Sequence, residues 1–503
     1  MWVLIFTTIV VLIIFRLKKV YSYWKDRGVD YVSPLRSFGP FAENILRMNS
    51  HSEVLKRIYD EFPNKRYVGF YNIFQPVLII RDLELVKRIC VKDYHVFHSH
   101  SEIIPSELDD LWSKHLFNLT DKKLWNNLRT PLRQFFTTNK LKLSFPVIQK
   151  VSRNLINYLK TKSKGQPYTL ETREIFKRLL NDISANAYFG VNCDAINNGE
   201  NEFMYMARKA MSISMMSGVK HVIANLFPRL LKSMGAKIYS KEVRTFFTSI
   251  IKQSIKMRYE NEFRGPDVIN TLLQLYDADK SHLDNLSEST VKNITAQAII
   301  LYFAGFETTT STLSMLVYEI TLNPDIQTKL YEEIVNTLKG FNGTVSYDAI
   351  MAMEYLDNVV KETLRLHTPT SLLDRRAMSD YEIESEDPKE KTLLVKKGTP
   401  VWILQKAIHL DPNNFPNPEK FDPDRFSYGN KQNIKNYSHI PFGSGPRSCL
   451  GYRHAMVVVK LTITELLLNY ELLPTNKTYV KNSSKTYNII DHGVWVKLNP
   501  RMK

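Results

Sequence analysis

The chain has 503 residues, 44% hydrophobic and 24% charged, with a formal net charge of +17. That length holds one large domain or several small ones around a sizeable core, and only three cysteines exclude a disulfide-dense secreted scaffold and fit a reducing compartment. The positive balance suits nucleic acid, an anionic membrane or an acidic partner; basic residues are scattered and no nucleic-acid motif is present, so membrane and acidic partner rank first.

The chain opens on fourteen apolar or threonine residues, Trp2 to Phe15, followed by Arg16, Lys18, Lys19 and the aromatics Tyr21, Tyr23 and Trp24. The run is short for a span of about twenty residues, but snorkelling basic side chains and interfacial aromatics extend it. No basic stretch precedes it and no Ala-x-Ala-like cleavage site follows, so residues 1–24 are expected to be a retained anchor rather than a signal peptide. Basic residues after the run then place the remainder in the cytosol. Residues 25–42, with Gly28, Pro34, Gly39 and Pro40, form a linker. Residues 43–503 contain no second linker and no repeat, which predicts one domain.

From 43 to about 370 the patterns are mostly helical, with a strand-like pair at RYVGFYNIFQPVLII, residues 66–80. Glu288 to Leu322 is the longest candidate helix, capped by Ser287 and stopped by Asn323-Pro324. At 1.5 Å per residue it spans roughly 50 Å. Its middle reads Ala304-Gly305-Phe306-Glu307-Thr308-Thr309-Thr310, where glycine and β-branched residues invite a local distortion and a carboxylate needs a partner or water. In KETLRLH, Glu362 and Arg365 share one helical face at i, i+3. Residues 372 to 440 read as irregular, rich in Pro and Asn, and include FDPDRF with Asp424 and Arg425.

HIPFGSGPRSCLG, residues 439–451, holds Cys449 among Gly443, Gly445, Gly451, Pro441 and Pro446, a rigid loop that presents backbone and a thiol. The helix-compatible run from Tyr452 puts that thiol just before a helix N-terminus, where free N–H groups favour a thiolate. Nucleophile, redox centre and metal ligand all remain open. A dinucleotide loop would place glycine where Ser448 stands, a phosphate loop would need Gly-Lys-Ser/Thr, and the absence of C-x-x-C excludes a dithiol or cysteine-rich zinc site. Cys90 and Cys193 read as small buried hydrophobes.

The order FGSGPRSCLG, AGFETT, ETLR, FDPDRF and the W-x-x-x-R of LWNNLR resembles the cytochrome P450 haem-thiolate monooxygenases over residues 20 to 500, with insect microsomal, detoxification-type members nearest in flavour. The resemblance implies a mainly α fold with small β-sheets, a long central helix over haem b and the cysteine loop beneath it. It makes Cys449 the axial thiolate, whose electron density favours O–O cleavage; Phe442 packs near it and Gly451 shapes the loop. Trp125, Arg129, Arg375 and Arg447 match positions that hold the haem propionates. Glu362, Arg365 and Arg425 match a buried charge triad, and Thr308 with Glu307 matches the proton-delivery position.

Also implied are an apolar small-molecule substrate, xenobiotic or lipid-like, and a pocket drawn from Phe97 to Phe117, Ala296 to Thr308, Pro369 to Leu373 and Tyr487 to Ile490. The implied partners are NADPH-cytochrome P450 reductase, docking on a face that includes Arg129, Arg133, Lys140 and Lys142, and optionally cytochrome b5; the implied location is the endoplasmic reticulum membrane, catalytic domain outward to the cytosol. Asp424, His454 and Val458 depart from the usual pattern, and His454 is expected to be a satisfied structural histidine. Two rivals are a haem-thiolate isomerase or dehydratase, which would often lack Thr308, and a non-catalytic haem- or ligand-sequestering protein.

Overall fold

A computed structural model describes residues 1–37, 50–101, 105, 108–214, 228–235, 237–261, 267–276, 287–386, 391–478 and 493–501. The first helix, α1 (Trp2–Tyr21), forms over the apolar run, with Lys18 and Lys19 in its last turn. Among the described residues no helix is long and apolar enough to cross a membrane: fourteen apolar residues rise only about 21 Å against a hydrocarbon core of about 30 Å. The aromatics after it are not free to lie at an interface. Trp24 is buried over Gly69, where a Cβ would collide with its indole, and its ring N–H donates to the Phe70 carbonyl at 3.0 Å. Tyr71 donates its hydroxyl to the Tyr21 carbonyl at 2.9 Å, so the end of α1 is bolted to a sheet.

That sheet contains β1 (Tyr67–Asn72) and β2 (Gln75–Ile80), the antiparallel pair expected at 66–80, then β3 (Leu373–Arg376) and β4 (Pro400–Ile403), in the order β1-β2-β4-β3. β2 runs parallel to β4, whereas β3 is antiparallel to β4. Two of its four strands, and a hairpin of Tyr381–Ile383 with Leu393–Val395, thus come from the stretch that reads as irregular. Strands of three or four residues are too short to show an alternating pattern, and β4 finds its β2 partner 323 positions away in sequence, Leu78 opposite Val401. Val77, Leu78, Ile79, Ile80, Val401 and Ile403 are completely buried and make this sheet the centre of one apolar cluster.

The second cluster is helical. It is built from α2 (Lys122–Phe135), α3 (Thr138–Ser163), α4 (Thr172–Phe189), α5 (Lys241–Glu260), α6 (Glu288–Leu322), α7 (Glu354–Leu366) and α8 (Tyr452–Asn469). The 35 residues of α6 begin and end where the sequence predicts, with the Ser287 hydroxyl accepting from the Thr290 amide at 3.1 Å and Pro324 opening the next helix. The distortion expected at Ala304–Thr310 is absent: α6 continues unbroken. The hydroxyls of Thr308, Thr310 and Thr312 donate to the carbonyls of Ala304, Phe306 and Thr308 at 2.6, 2.7 and 2.9 Å, closing onto the helix rather than competing with it. A smaller sheet of Tyr168–Glu171, Trp495–Pro500 and Tyr470–Leu473 ties the C-terminal end of the described chain to the start of α4. The result is a mainly α fold with small β-sheets, as expected.

Candidate functional site

The Cys449 loop is held by its own backbone. The Cys449 amide donates to the Phe442 carbonyl at 2.8 Å, Ser448 to Gly445 at 3.0 Å and Gly443 to Ile440 at 2.9 Å. Gly443 and Gly445 sit at φ +72° and +73°, and a Cβ on Gly445 would drive into the carbonyl oxygen of buried Cys90, so this turn closes only with glycine. Gly451 is the N-cap of α8, which starts at Tyr452. Phe442 lies half-buried, its ring 5.9 Å from that of Tyr452.

The side chain of Cys449 is accessible to a water-sized probe although protein encloses it on nearly every side, so its exposed area faces an internal space. Burial pushes its pKa up, opposed by a hydrogen bond from the Gly451 amide and by the Arg129 charge. An accessible strip also occurs in the middle of α6. Ala304 is exposed and Thr308 partly so, one turn apart on one face, while Tyr302 and Phe306 between and beside them are buried. Tyr188 connects the two places. Its hydroxyl lies 3.4 Å from where a Cβ on Gly305 would stand and is close enough to Cys449 to feel a thiolate charge.

Beside the loop lies a concentration of positive charge. Arg375 is 1% exposed; its Nη1 donates to the Asp374 carbonyl at 2.7 Å, but Nε and Nη2 have no hydrogen-bond partner among the described residues. Arg447 donates to the carbonyls of His98 and Leu119 at 2.7 and 2.8 Å, and Arg129 to that of Ser448 at 2.7 Å. Trp125 is sandwiched, its ring 4.2 Å from the Arg447 guanidinium and 5.0 Å from that of Arg129. Burial, with the adjacent Arg375 and Arg129 charges, pushes Arg447 down to about 9 against the pull of Tyr94 and Asp374.

None of these three arginines forms an ion pair among the described residues; the carboxylate of Asp374 is engaged by His100 Nδ1 at 2.9 Å and the Ser101 amide at 2.6 Å. Two buried guanidiniums, Arg375 and Arg447, with half-buried Arg129, a Trp125 N–H that has no partner among the described residues and an internally accessible thiol fit a bound group that is bulky, soft at its centre and anionic at one edge.

Beneath the thiol loop the charge arrangement is complete. Glu362 takes Arg365 in a two-pronged pair, Nε to Oε2 at 2.7 Å and Nη2 to Oε1 at 2.8 Å, and Arg425 Nε at 3.3 Å. Arg365 also donates to the carbonyls of His409 and Lys420, and Arg425 to those of Pro416 and Asn417. Asp424, the departure from pattern, lies outside this network and pairs with Lys329 at 2.9 Å.

The structure therefore gathers Cys449, Trp125, Arg129, Arg375 and Arg447 in one place, with Thr308 and Glu307 on α6. Glu307 does not touch Thr308: its carboxylate is held by Arg173 from the first turn of α4. Arg129 points inward, so of the expected docking residues only Arg133 and Lys140 stay exposed and unpaired among the described residues, Lys142 being paired with Asp348 at 2.7 Å. His454 is buried and makes no hydrogen bond among the described residues, and Val458 is fully buried in α8. Residues 102–104, 106–107 and Tyr487 to Ile490, read as pocket-lining, lie outside the described residues.

Tyr94 escapes sequence reasoning altogether. Its buried hydroxyl meets no hydrogen-bond partner of good geometry among the described residues and stands within the fields of Arg447, Arg129 and Arg375. Nothing in its local sequence distinguishes it.

Comparison with known proteins places these features in context. The Cytochrome P450 family model matches residues 34–494. Cytochrome P450 9e2 of Blattella germanica is 32% identical over 511 residues, covering 96% of this chain and 94% of its own. Cytochrome P450 6j1 of the same organism is 33% identical over 476 residues, covering 95% and 92%. Cytochrome P450 6a2 of Drosophila melanogaster is 30% identical over 492 residues, covering 95% of each chain.

Proposed function

The chain belongs to the cytochrome P450 family, and from that premise we propose that this haem-dependent monooxygenase inserts one atom of O2 into an apolar small molecule, a xenobiotic or an endogenous lipid-like compound. The observation that carries the reading is the internally accessible thiol of Cys449 beside the buried guanidiniums of Arg375 and Arg447 and the half-buried one of Arg129, none with an ion-pair partner among the described residues. When bound, haem would supply an iron centre for dioxygen activation, and the Cys449 thiolate would hold it and donate electron density to it.

In this reading Cys449 holds the iron, the Gly451 amide and Arg129 support the thiolate form, and Phe442 walls the loop. Arg129, Arg375 and Arg447, steadied by Trp125, hold the propionates, whose two carboxylates would give Arg375 the partners it lacks. The Thr308 hydroxyl donates its one proton to the Ala304 carbonyl and can accept a hydrogen bond from water; it would serve as a proton donor in the relay once it turns away from Ala304. Glu307 joins that relay when its ion pair with Arg173 opens.

Electrons come from NADPH through NADPH-cytochrome P450 reductase, with cytochrome b5 as an optional donor. Arg133 and Lys140 contribute exposed positive charge to the docking face. Attachment to the endoplasmic reticulum membrane, catalytic domain on the cytosolic side, is supported by α1, on which Trp2, Phe6, Val11, Ile14 and Phe15 are all exposed. Residues 1–24 then form the anchor, 25–42 the linker and 43–503 a single catalytic domain.

The optical spectrum of the dithionite-reduced protein under carbon monoxide tests the ligand assignment. A strongly red-shifted Soret band that Cys449→Ser abolishes is the expected result; a histidine-like band, or a variant that keeps the shift, overturns it. Thr308→Ala is expected to retain haem and substrate binding while diverting NADPH consumption toward peroxide, read as the ratio of peroxide to product. Unchanged coupling removes Thr308 from the relay.

A further inference from the structure

A cavity of about 770 Å³ opens between α3, α4 and α5 on the far side of α4's Tyr188 from the long helix, and none of Cys449, Ala304, Thr308 or Arg375 lines it. Part of its lining is apolar, with Phe135, Ile148, Ile183 and Ala187; the rest is polar, with Asn186, the exposed Asn192, Gln253 and Asn261, and the Arg258–Asp267 ion pair. At its base stands His454. This imidazole is only 7% exposed, yet neither ring nitrogen has a hydrogen-bond partner among the described residues, and the residue lines the cavity. Its nitrogens are not among the buried unpaired atoms of the described residues, so their hydrogen-bonding capacity is open to the cavity. The ring is fixed from behind by Phe136 and Tyr188, at 6.2 and 6.1 Å between centroids.

We propose that this cavity is a second ligand site, separate from the haem and substrate space, for a neutral, largely apolar molecule bearing one hydroxyl or carbonyl that hydrogen-bonds to His454. The volume lies in the range of pockets that enclose drug-sized molecules, and the lining joins an apolar wall to a side rich in hydroxyl and amide groups, which suits an apolar body with one polar end. Burial keeps His454 neutral, its pKa pushed down to about 4, so one nitrogen donates and the other accepts, and Arg258 on the same lining is already paired with Asp267, so its charge is not free for an anion. The occupant also has a route of influence on the catalytic side. Phe136, against which His454 packs, approaches within 3.7 Å of where a Cβ on Gly451 would stand, and Tyr188 reaches both Gly305 and the field of Cys449.

The test uses full-length, haem-loaded protein in the reduced, carbon monoxide-bound state, labelled with ¹⁵N-histidine and titrated with 1-naphthol. The His454 ring signal, identified by its loss in His454→Phe, is expected to shift saturably. Met257→Trp, which fills the mouth, is expected to abolish the shift; Gln253→Trp provides a second filling variant if the first folds poorly. By equilibrium dialysis with the substrate pocket saturated by an azole inhibitor, His454→Phe is expected to weaken naphthol binding about fivefold, the share of one neutral hydrogen bond. An unmoved His454 signal, a shift that survives both filling variants, or unchanged affinity in His454→Phe overturns the proposal. Because each readout follows His454 or bound naphthol rather than turnover, failure of the monooxygenase reading leaves the test intact.

Discussion

Two arginine clusters lie either side of the thiol loop and differ in one respect. Around Glu362 the charges are closed: one carboxylate, two guanidiniums and five backbone carbonyl or amide partners leave its two oxygens fully used. Around Trp125 they are open: Arg129, Arg375 and Arg447 are brought together with only carbonyls for company, and two nitrogens of Arg375 have no partner among the described residues. A chain that buries cations costs itself stability unless the charge is answered. In the first cluster the answer is another side chain; in the second it must come from a bound group. Burial of charge is thus structural where it is satisfied internally and points to a ligand where it is not.

The difference can be broken from either side. Glu362→Ala strands two buried guanidiniums and is expected to cost about 3 to 5 kcal/mol, read as a shift in urea midpoint or as loss of folded protein. A loss below about 1 kcal/mol would mean that the backbone carbonyls alone satisfy Arg365 and Arg425. Arg375→Met is expected to do the reverse: the haem-free chain stays as stable or gains, while haem is held about 10- to 100-fold less tightly, measured by transfer to apomyoglobin. Equal damage to the haem-free chain would make Arg375 a structural residue like Glu362.

A smaller effect sharpens the same contrast by pH. His439 sits over Phe426 in the closed cluster's layer, its ring 4.6 Å away, and burial pushes its pKa from 6.5 down to about 3, a hydrogen bond to the Lys361 carbonyl opposing. Because the folded value lies below the unfolded one, the unfolded chain binds the extra proton. Stability is unaffected above pH 6.5 and falls as pH drops from 6.5 toward 3, by at most about 1.4 kcal/mol per pH unit for this residue. His439→Phe should flatten the acid limb of the stability profile by that slope; an unchanged slope would show that the imidazole protonates freely in the folded state.

Much of this was legible in the residues. The 35 residues of α6 announced both ends through Ser287 and Asn323-Pro324, since caps and stops are local signals. The glycines of the cysteine loop announced a tight turn, although the reason Gly445 tolerates no side chain, the Cys90 carbonyl against it, comes from a segment 355 positions earlier. The paired β3 and β4 were not legible, being too short for periodicity. Tyr94 and the open nitrogens of His454 were not legible either, because both are defined by what distant helices put around them. Trp24 was read wrongly, as an interfacial aromatic, because a tryptophan after an apolar run looks the same whether it meets lipid or a sheet.

By itself the sequence determined the helical class, the ends of the long helix, the cysteine loop and the residues that carry the family's chemistry, all of them written in neighbouring positions where caps, periodicity and glycine content act over a few residues. Only the tertiary structure decided which charges are answered and which are left open, that Glu307 faces Arg173 rather than Thr308, and that His454 looks into a cavity. Those are properties of burial and partnership, and a side chain acquires them only when segments far apart in the chain close around it.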